Sequence, residues 1–402
     1  MFITKARLVL ARADLESAVR RALARSPVVA LLGPRQCGKT TLARQVMGPA
    51  DALFDLEDPA SLEALRSPRM ALERLTGVVV IDEVQRLPTL FPVLRVLADR
   101  PESSARLLLL GSAAPELVRG VSESLAGRVE LVDMAGFDLE EVGADQQAKL
   151  WWRGGFPRSF LAALDEDSVA WRESFVRTFL ELDIPQLGIN IPALQLRRFW
   201  TMVAHYHGQT WNHAEVGSSL GVDEKTVRRY LDILAGAFMV RPLAPWFENV
   251  GKRQRKAAKV YLRDTGLLHT LLGIDAPDRL LLHPKLGASW EGFALEHIIR
   301  VLGTRDVYYW AVHSGPELDL LAFVGGRRFG FELKYADAPR MTASMAQARD
   351  LLKLERLLVV SPESKGYALD ETAEVVPLAR VTEVVARLRG SPFQRARVGS
   401  SP

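Results

Sequence analysis

The sequence predicts an α/β protein of several domains, and three observations point that way. Gly33-Pro34-Arg35-Gln36-Cys37-Gly38-Lys39-Thr40 joins the apolar run Val28–Leu32 to a stretch from Thr41 that can start a helix. Short apolar runs then alternate with helical stretches to about Val142, as in a parallel sheet. Near Leu286 a second series begins, a helix followed by strands. With 402 residues the chain exceeds one ordinary core. The predicted bounds are 1–145, 146–280 and 281–390, with 391–402 a disordered tail.

Composition narrows the classes. A chain with 48% hydrophobic and 25% charged residues is of the soluble globular kind. No uncharged apolar run reaches about 18 residues, so no membrane span is expected. The N-terminal stretch lacks a signal peptide's apolar region and cleavage site. The single Cys37 excludes an internal disulfide and suits a reducing cytoplasm. Net charge is only +4, so any nucleic-acid footprint must be local.

The first segment carries the sharpest chemistry. Gly33 to Thr40 is the G-x-x-x-x-G-K-[ST] phosphate loop, set between a strand and a helix as the motif requires. Backbone N–H groups from Gly33 to Thr41 would cradle phosphates, helped by the helix N-terminus. Lys39 would reach the β- and γ-phosphates and the Thr40 hydroxyl would ligate Mg²⁺. Further strands are expected at Ala52–Asp55, Val78–Ile81, Arg106–Leu110 and Val129–Met134. Val78–Ile81 runs into Asp82 and Glu83, and ligands gather at the carboxyl ends of parallel strands. Asp82 would support Mg²⁺ through water, and Glu83 would polarise the attacking water. Ser112, after Gly111, is placed to sense a γ-phosphate, although serine there is often only a turn former. Arg128, in Ser124–Arg128, could stabilise a transferring phosphoryl group or form a surface ion pair.

The middle segment is mainly helical. Trp171, Phe175, Phe179 and Leu182 recur at helical spacing and form a core face. Helix His213–Leu220 ends at Gly221, Asp223 is a good N-cap, and Glu224–Ala235 makes a second helix. Strands Met239–Leu243 and Lys259–Leu262 flank a basic loop, completing a winged helix-turn-helix. Lys225, Arg228 and Arg229 on the helix, with Lys252, Arg253, Arg255 and Lys256 in the loop, suit contacts to DNA phosphates. Winged helices also serve as protein-interaction modules, and charge runs are commonly solvated faces. His205, His207 and His213 lack a companion Cys or carboxylate cluster, so zinc is not expected.

In the last segment, Trp290–Leu302 is an amphipathic helix bearing Glu291 and Glu296. Strands are expected at Val307–Ala311, Leu318–Val324, Arg328–Leu333, Leu357–Val360 and Val375–Val376. Asp319 and Glu332-Leu333-Lys334 lie within them, and an E-x-K triplet alone is common by chance.

Gly33–Thr41, Ile81–Gln85, Leu110–Ser112 and Ser124–Arg128 together resemble AAA-type ATPases of bacteria and archaea. Those proteins carry a C-terminal domain of unknown function, family number 4143. Gly154-Gly155-Phe156-Pro157, Thr178–Ile184 and Lys259–Leu268 extend the likeness over nearly the whole chain. It implies an N-terminal ATPase, a winged-helix-like middle and a C-terminal fold similar to the PD-(D/E)XK nucleases. On that likeness Asp319 and Glu332 would hold a second divalent metal, Mg²⁺ or Mn²⁺, and Glu291 would complete the acidic cluster. Lys334 would orient water at the scissile phosphate. The chain departs from the pattern in having Cys37 in the loop, Leu318 at the motif's proline position and no separate helical lid.

The expectation is an ATP-binding, ATP-hydrolysing protein whose nucleotide state controls a DNA-binding C-terminal half that could be a metal-dependent nuclease. A non-cleaving DNA switch and a protein-directed switch are the alternatives. ATP and DNA are the implied partners, and a homo-oligomer is compatible with both.

Overall fold

Val28–Leu32 forms β1, Ala52–Asp55 β2, Gly77–Asp82 β3, Ala105–Gly111 β4 and Val129–Asp133 β5. They build one parallel sheet in the order β2-β3-β4-β1-β5. Successive side chains point to opposite faces. Val28, Ala30, Leu32, Val79, Ile81, Leu107 and Leu109 fill one core with Phe91, Leu94 and Leu97 of helix Phe91–Ala98. Val29, Leu31, Val80, Leu108 and Leu110 fill the other beneath helices Ala13–Arg25 and Lys39–Val46. Burial on both faces is why β1, β3 and β4 carry unbroken aliphatic runs, while β2 and β5, at the sheet edges, do not.

This computed structural model describes residues 10–100, 105–111, 123–186, 191–248, 251, 254–363 and 365–390. The chain divides into two units. The first is Met1–Met202 with His213–Arg241 and Asp264–Ala276; the second is Val203–Asn212 with Pro242–Arg263 and Pro277–Pro402.

The remainder of the first unit is helical, including Gln147–Arg153, Asp165–Thr178, His213–Leu220, Glu224–Gly236 and Thr265–Leu271. Asp223 caps Glu224–Gly236 by accepting the Thr226 N–H at 2.7 Å. Asp264 caps Thr265–Leu271 and also accepts the Gly155 N–H at 2.8 Å. Thr265 Oγ1 donates to the Trp151 carbonyl at 2.6 Å. Two distant sequence motifs, Gly154–Pro157 and Asp264-Thr265-Gly266, are therefore one structural joint. Trp152 packs inside it, stacked on His269 at 5.3 Å.

Trp171, Phe175 and Phe179 share the face that their spacing predicts and stack along it, with centroids 5.2 and 6.1 Å apart. Leu182 departs from that face and is 56% exposed. The helix passes into a π-turn over Phe179–Asp183. Its wider hydrogen-bonded loop shifts the angular phase of everything after Phe179.

In the second unit, Gln209–Thr210 (β6) pairs antiparallel with Lys259–Leu262, which we label β8 after Val240–Leu243 (β7). A six-stranded mixed sheet follows: Val307–Ala311 (β9), Glu317–Val324 (β10), Arg327–Leu333 (β11), Arg356–Ser361 (β12), Tyr367–Ala368 (β13) and Ala373–Pro377 (β14). Its order is β13-β14-β12-β11-β10-β9. The β9-β10-β11 part is antiparallel, while β11, β12 and β14 run parallel. The β9–β10 register shifts between Leu318 and Leu321, so Asp319 sits in a bulge. Bulges re-aim side chains. Helix Leu286–Leu302 begins four residues before the predicted Trp290 and carries Glu291.

Candidate functional site

The phosphate loop leaves the carboxyl end of β1 and enters helix Lys39–Val46, as the motif requires. Gly33 is obligatory: a Cβ there would lie 2.1 Å from the Met134 carbonyl oxygen. Gly38 caps the helix at φ 101°, a left-handed conformation that side chains rarely adopt. Cys37 is buried in the core behind the loop, Pro34 is buried, and Gln36 and Thr41 are exposed. Lys39 is buried, and its Nζ donates to the Gly33 and Pro34 carbonyls at 3.0 and 2.9 Å. Thr40 Oγ1 donates to Asp82 Oδ2 at 2.6 Å, and Asp82 Oδ1 accepts the Glu83 N–H at 2.9 Å. A hydroxyl and a carboxylate thus meet at the helix N-terminus beside a buried ammonium. That donor set fits a nucleotide's phosphates together with Mg²⁺.

Glu83 follows Asp82 in a left-handed conformation, φ 52° and ψ 42°, at the start of a short 3₁₀ turn. Strained non-glycine residues of this sort concentrate at functional sites. Its carboxylate accepts a hydrogen bond from Gln85. Burial pushes the Glu83 carboxyl above its ordinary range, while the charges of Lys39 and Arg35 pull it back. A carboxylate shifted in this direction is a better base near neutral pH.

Arg35 does something that its place in the loop does not announce. Its guanidinium pairs with Asp183, in the π-turn, and with Glu57 at 2.7 Å. Burial opposes the charge of Arg35, but Asp183 outweighs it and raises the pKa; burial raises that of Asp183. Glu57 and Asp183, which pair with Arg35 of the loop, were missed as site residues by sequence reasoning. Asp183 lies within Thr178–Ile184, and that motif was the available signal.

Ser112 lies outside the described residues. Arg128 is a correction. Its carbonyl accepts the Val28 N–H at 3.3 Å, so it stands at the amino ends of the strands. The phosphate loop begins beyond Leu32, about 13 Å farther along β1. The Arg128 side chain is instead bound to Asp99 by two hydrogen bonds. Arg128 therefore does not reach the loop of its own chain.

The second unit gathers Glu291, Asp319, Glu332 and Lys334, the residues named on the nuclease likeness, together with Lys259 and Tyr261. Lys334 Nζ lies 2.9 Å from Glu332 and 3.5 Å from Asp319. Lys259 Nζ, from β8, lies 3.6 Å from Glu291 and 3.7 Å from Asp319. Tyr261, also on β8, donates its hydroxyl to Glu291 at 2.5 Å. Asp319 Oδ2 accepts the Leu333 N–H at 3.0 Å. Burial and the Asp319 charge push Glu291 up to about 7 and Glu332 up to about 8. Asp319 stays below its ordinary range, because Lys259 and Lys334 outweigh the effect of its burial. Burial lowers the pKa of both lysines, but the carboxylates outweigh it and hold them raised.

Hard divalent ions want several oxygens converging at about 2.0–2.6 Å. Among the described residues no three His, Cys, Asp or Glu side chains are arranged to hold a metal ion. The three carboxylates, interleaved with ammonium groups, do not fit the ion that the nuclease likeness implies. Lys259 escaped notice because a lysine opening an apolar strand looks like an edge residue. The available signal was the shared face of Lys259 and Tyr261 at period two.

Lys225, Arg228 and Arg229 are all exposed on helix Glu224–Gly236. Arg255 and Lys256 are exposed too, with Arg255 Nη1 donating to Thr210 Oγ1 at 2.9 Å. Lys252 and Arg253 lie outside the described residues. No helix among the described residues is long and apolar enough to cross a membrane.

Comparison with known proteins matches three successive segments of the chain. Residues 25–143 match an AAA domain, 144–278 a domain of unknown function (DUF8612) and 286–381 another (DUF4143). A Walker-type ATPase of Pyrococcus abyssi, PABY2304, superposes with TM-score 0.45 at 14% identity, covering 68% of this chain and 98% of that one. Two uncharacterized proteins, Mb2031c of Mycobacterium bovis and Rv2008c of Mycobacterium tuberculosis, are each 52% identical over 377 residues, 93% of this chain and 85% of theirs. This chain, in which an AAA domain is followed by a DUF8612 and then a DUF4143 domain, belongs to the family of these mycobacterial proteins.

Proposed function

We propose that this protein is an ATP-hydrolysing switch whose nucleotide state governs contact with DNA. The observation that carries the reading is the pairing of Arg35, inside the phosphate loop, with Asp183 of the helical segment that follows the AAA domain. Phosphates entering the loop compete with Asp183 for that guanidinium, so nucleotide chemistry has a direct mechanical consequence.

In the hydrolytic step, loop N–H groups and Lys39 hold the β- and γ-phosphates. Mg²⁺, when bound beside Thr40 and Asp82, supplies neutralisation of phosphate charge. Glu83 accepts a proton from water as its oxygen bonds to the γ-phosphorus and the bond to the β-phosphate oxygen breaks. Release of phosphate returns Arg35 to Asp183. The exposed Lys225, Arg228, Arg229, Arg255 and Lys256 support a phosphate-backbone contact on the outside.

The test is binding of labelled duplex DNA across a salt series with no nucleotide, ADP or a non-hydrolysable ATP analogue. We expect affinity to differ several-fold between the ADP and ATP-analogue states and that difference to vanish in Lys39→Ala. Arg228→Ala/Arg229→Ala should flatten the log–log salt slope by about 0.9 for each DNA phosphate that is no longer neutralised. Absence of DNA binding in every nucleotide state would leave a protein-directed switch instead.

A further inference from the structure

We propose that the Lys259 ammonium is a built-in replacement for the divalent cation in the carboxylate cluster of the C-terminal sheet, so that this site excludes metal. The inference goes beyond the nucleotide switch and stands without it, since no residue of the phosphate loop is involved.

Position is the first ground. The ammonium lies 3.6 Å from Glu291 and 3.7 Å from Asp319, between the helix carboxylate and the bulge carboxylate. A cation serving both would have to occupy that space. Lys334 closes the other side, against Glu332 and Asp319.

Charge is the second. Three carboxylates facing one lysine, Lys334, would carry two negative charges, the amount a divalent ion neutralises. With Lys259 added, a single negative charge remains, and one shared proton removes it. Bringing a divalent ion into the occupied cluster would leave a buried excess of positive charge, which low dielectric penalises heavily.

Lys259 also has no easy retreat. The residue is 6% exposed, and the rest of its strand is buried. Its ammonium lies 5.5 Å from the centre of the Tyr309 ring, an attractive cation–π distance. Tyr261 holds the remaining edge of Glu291 by hydrogen bond. Displacing Lys259 would strand a charge among apolar neighbours. A cluster arranged this way fixes helix Leu286–Leu302 to β8, β10 and β11 by charge, where a nuclease would use its metal.

The experiment is a Mn²⁺ titration of the full chain, free metal being read by electron paramagnetic resonance. It is run without nucleotide and in an Asp82→Asn background, which silences the phosphate-loop site. We expect no saturable binding at low-millimolar metal. Lys259→Ala should gain one Mn²⁺ per chain, and Lys259→Ala/Asp319→Asn should lose it again. Should Lys259→Ala not fold, Lys259→Gln, which is shorter but stays polar without the charge, takes its place. Saturable binding by the chain with Lys259 intact, lost on Asp319→Asn, overturns the proposal whatever the variants do. A folded Lys259 variant that still binds nothing overturns the assignment of exclusion to Lys259.

Discussion

Two regions of this protein place lysine among carboxylates, and they use the same ingredients to opposite ends. In the phosphate loop, Lys39 rests on two backbone carbonyls, and Asp82 is satisfied by a hydroxyl and an N–H. The charges of Lys39 and Asp82 are oriented and not cancelled against one another, so they remain available to a ligand. In the C-terminal cluster, Lys259 and Lys334 bind Glu291, Asp319 and Glu332 directly. Its electrostatic capacity is spent internally. Residue type therefore says little about whether a cluster is a site; what partners the lysine says more.

The sharpest way to break this contrast is to remove one acid from each region. Glu83→Gln should keep nucleotide affinity while lowering ATP turnover about 10²–10⁴-fold, the usual contribution of a positioned base. Glu332→Gln should leave turnover unchanged. Steady-state phosphate release and fluorescent-nucleotide binding check both. If the Glu332 variant loses turnover as severely as the Glu83 variant, the C-terminal cluster is catalytic and the contrast fails.

Much of the first region was legible because its signals are local. Val28–Leu32 is buried at every position, and Gly38 of the loop answers to its own backbone geometry at the start of the helix. Asp223 announces its helix by capping it. The parts that escaped depend on partners far away in sequence. Arg35 and Asp183 are 148 residues apart, and nothing near Arg35 distinguishes it from a phosphate ligand. Arg128 could be read as a finger or as a surface ion pair from its place after a short helix, and sheet register decides which end of the strands it occupies. Lys259 belongs to a strand whose place against helix Leu286–Leu302 is set only by folding. Leu182 was misplaced for a different reason, since a π-turn changes helical phase without leaving a mark in apolar spacing.

A smaller effect separates the two regions by pH. Glu291 and Glu332 are pushed up to about 7 and about 8, chiefly by burial. A carboxyl with a raised folded-state pKa binds its proton more tightly folded than unfolded. Its stabilising contribution is complete below the ordinary carboxyl range and is lost as pH rises through 7 and 8. His207 works the other way: burial lowers it to about 3, so its contribution is lost as pH falls below the usual histidine range. Unfolding of the second unit should therefore be easiest at the two extremes. Between about pH 6.5 and 8.5 stability should fall by roughly 1–3 kcal/mol, and Glu332→Gln should flatten that slope. Thermal melts monitored by tryptophan fluorescence provide the measurement. An unchanged slope in the variant would mean that the cluster carries its full negative charge, with no proton shared among its carboxylates.

The smallest expected effect probes the join between loop and helix. The Arg35–Asp183 pair is partly buried, its side chains 24% and 12% exposed, so breaking it has a measurable cost. Arg35→Ala would leave Asp183 and Glu57 as neighbouring acids without their shared cation, confounding weaker phosphate binding with new repulsion. Asp183→Asn is cleaner, because it removes the competitor and keeps the guanidinium. If ATP must draw Arg35 away from Asp183, this variant should bind ATP about fivefold more tightly, equivalent to about 1 kcal/mol of relieved competition. ADP affinity should change less, since the γ-phosphate adds the charge nearest the loop. Equal gains for ADP and ATP would show that Arg35 responds to phosphate without counting it, leaving Glu83 as the better candidate for the group that distinguishes the two nucleotide states.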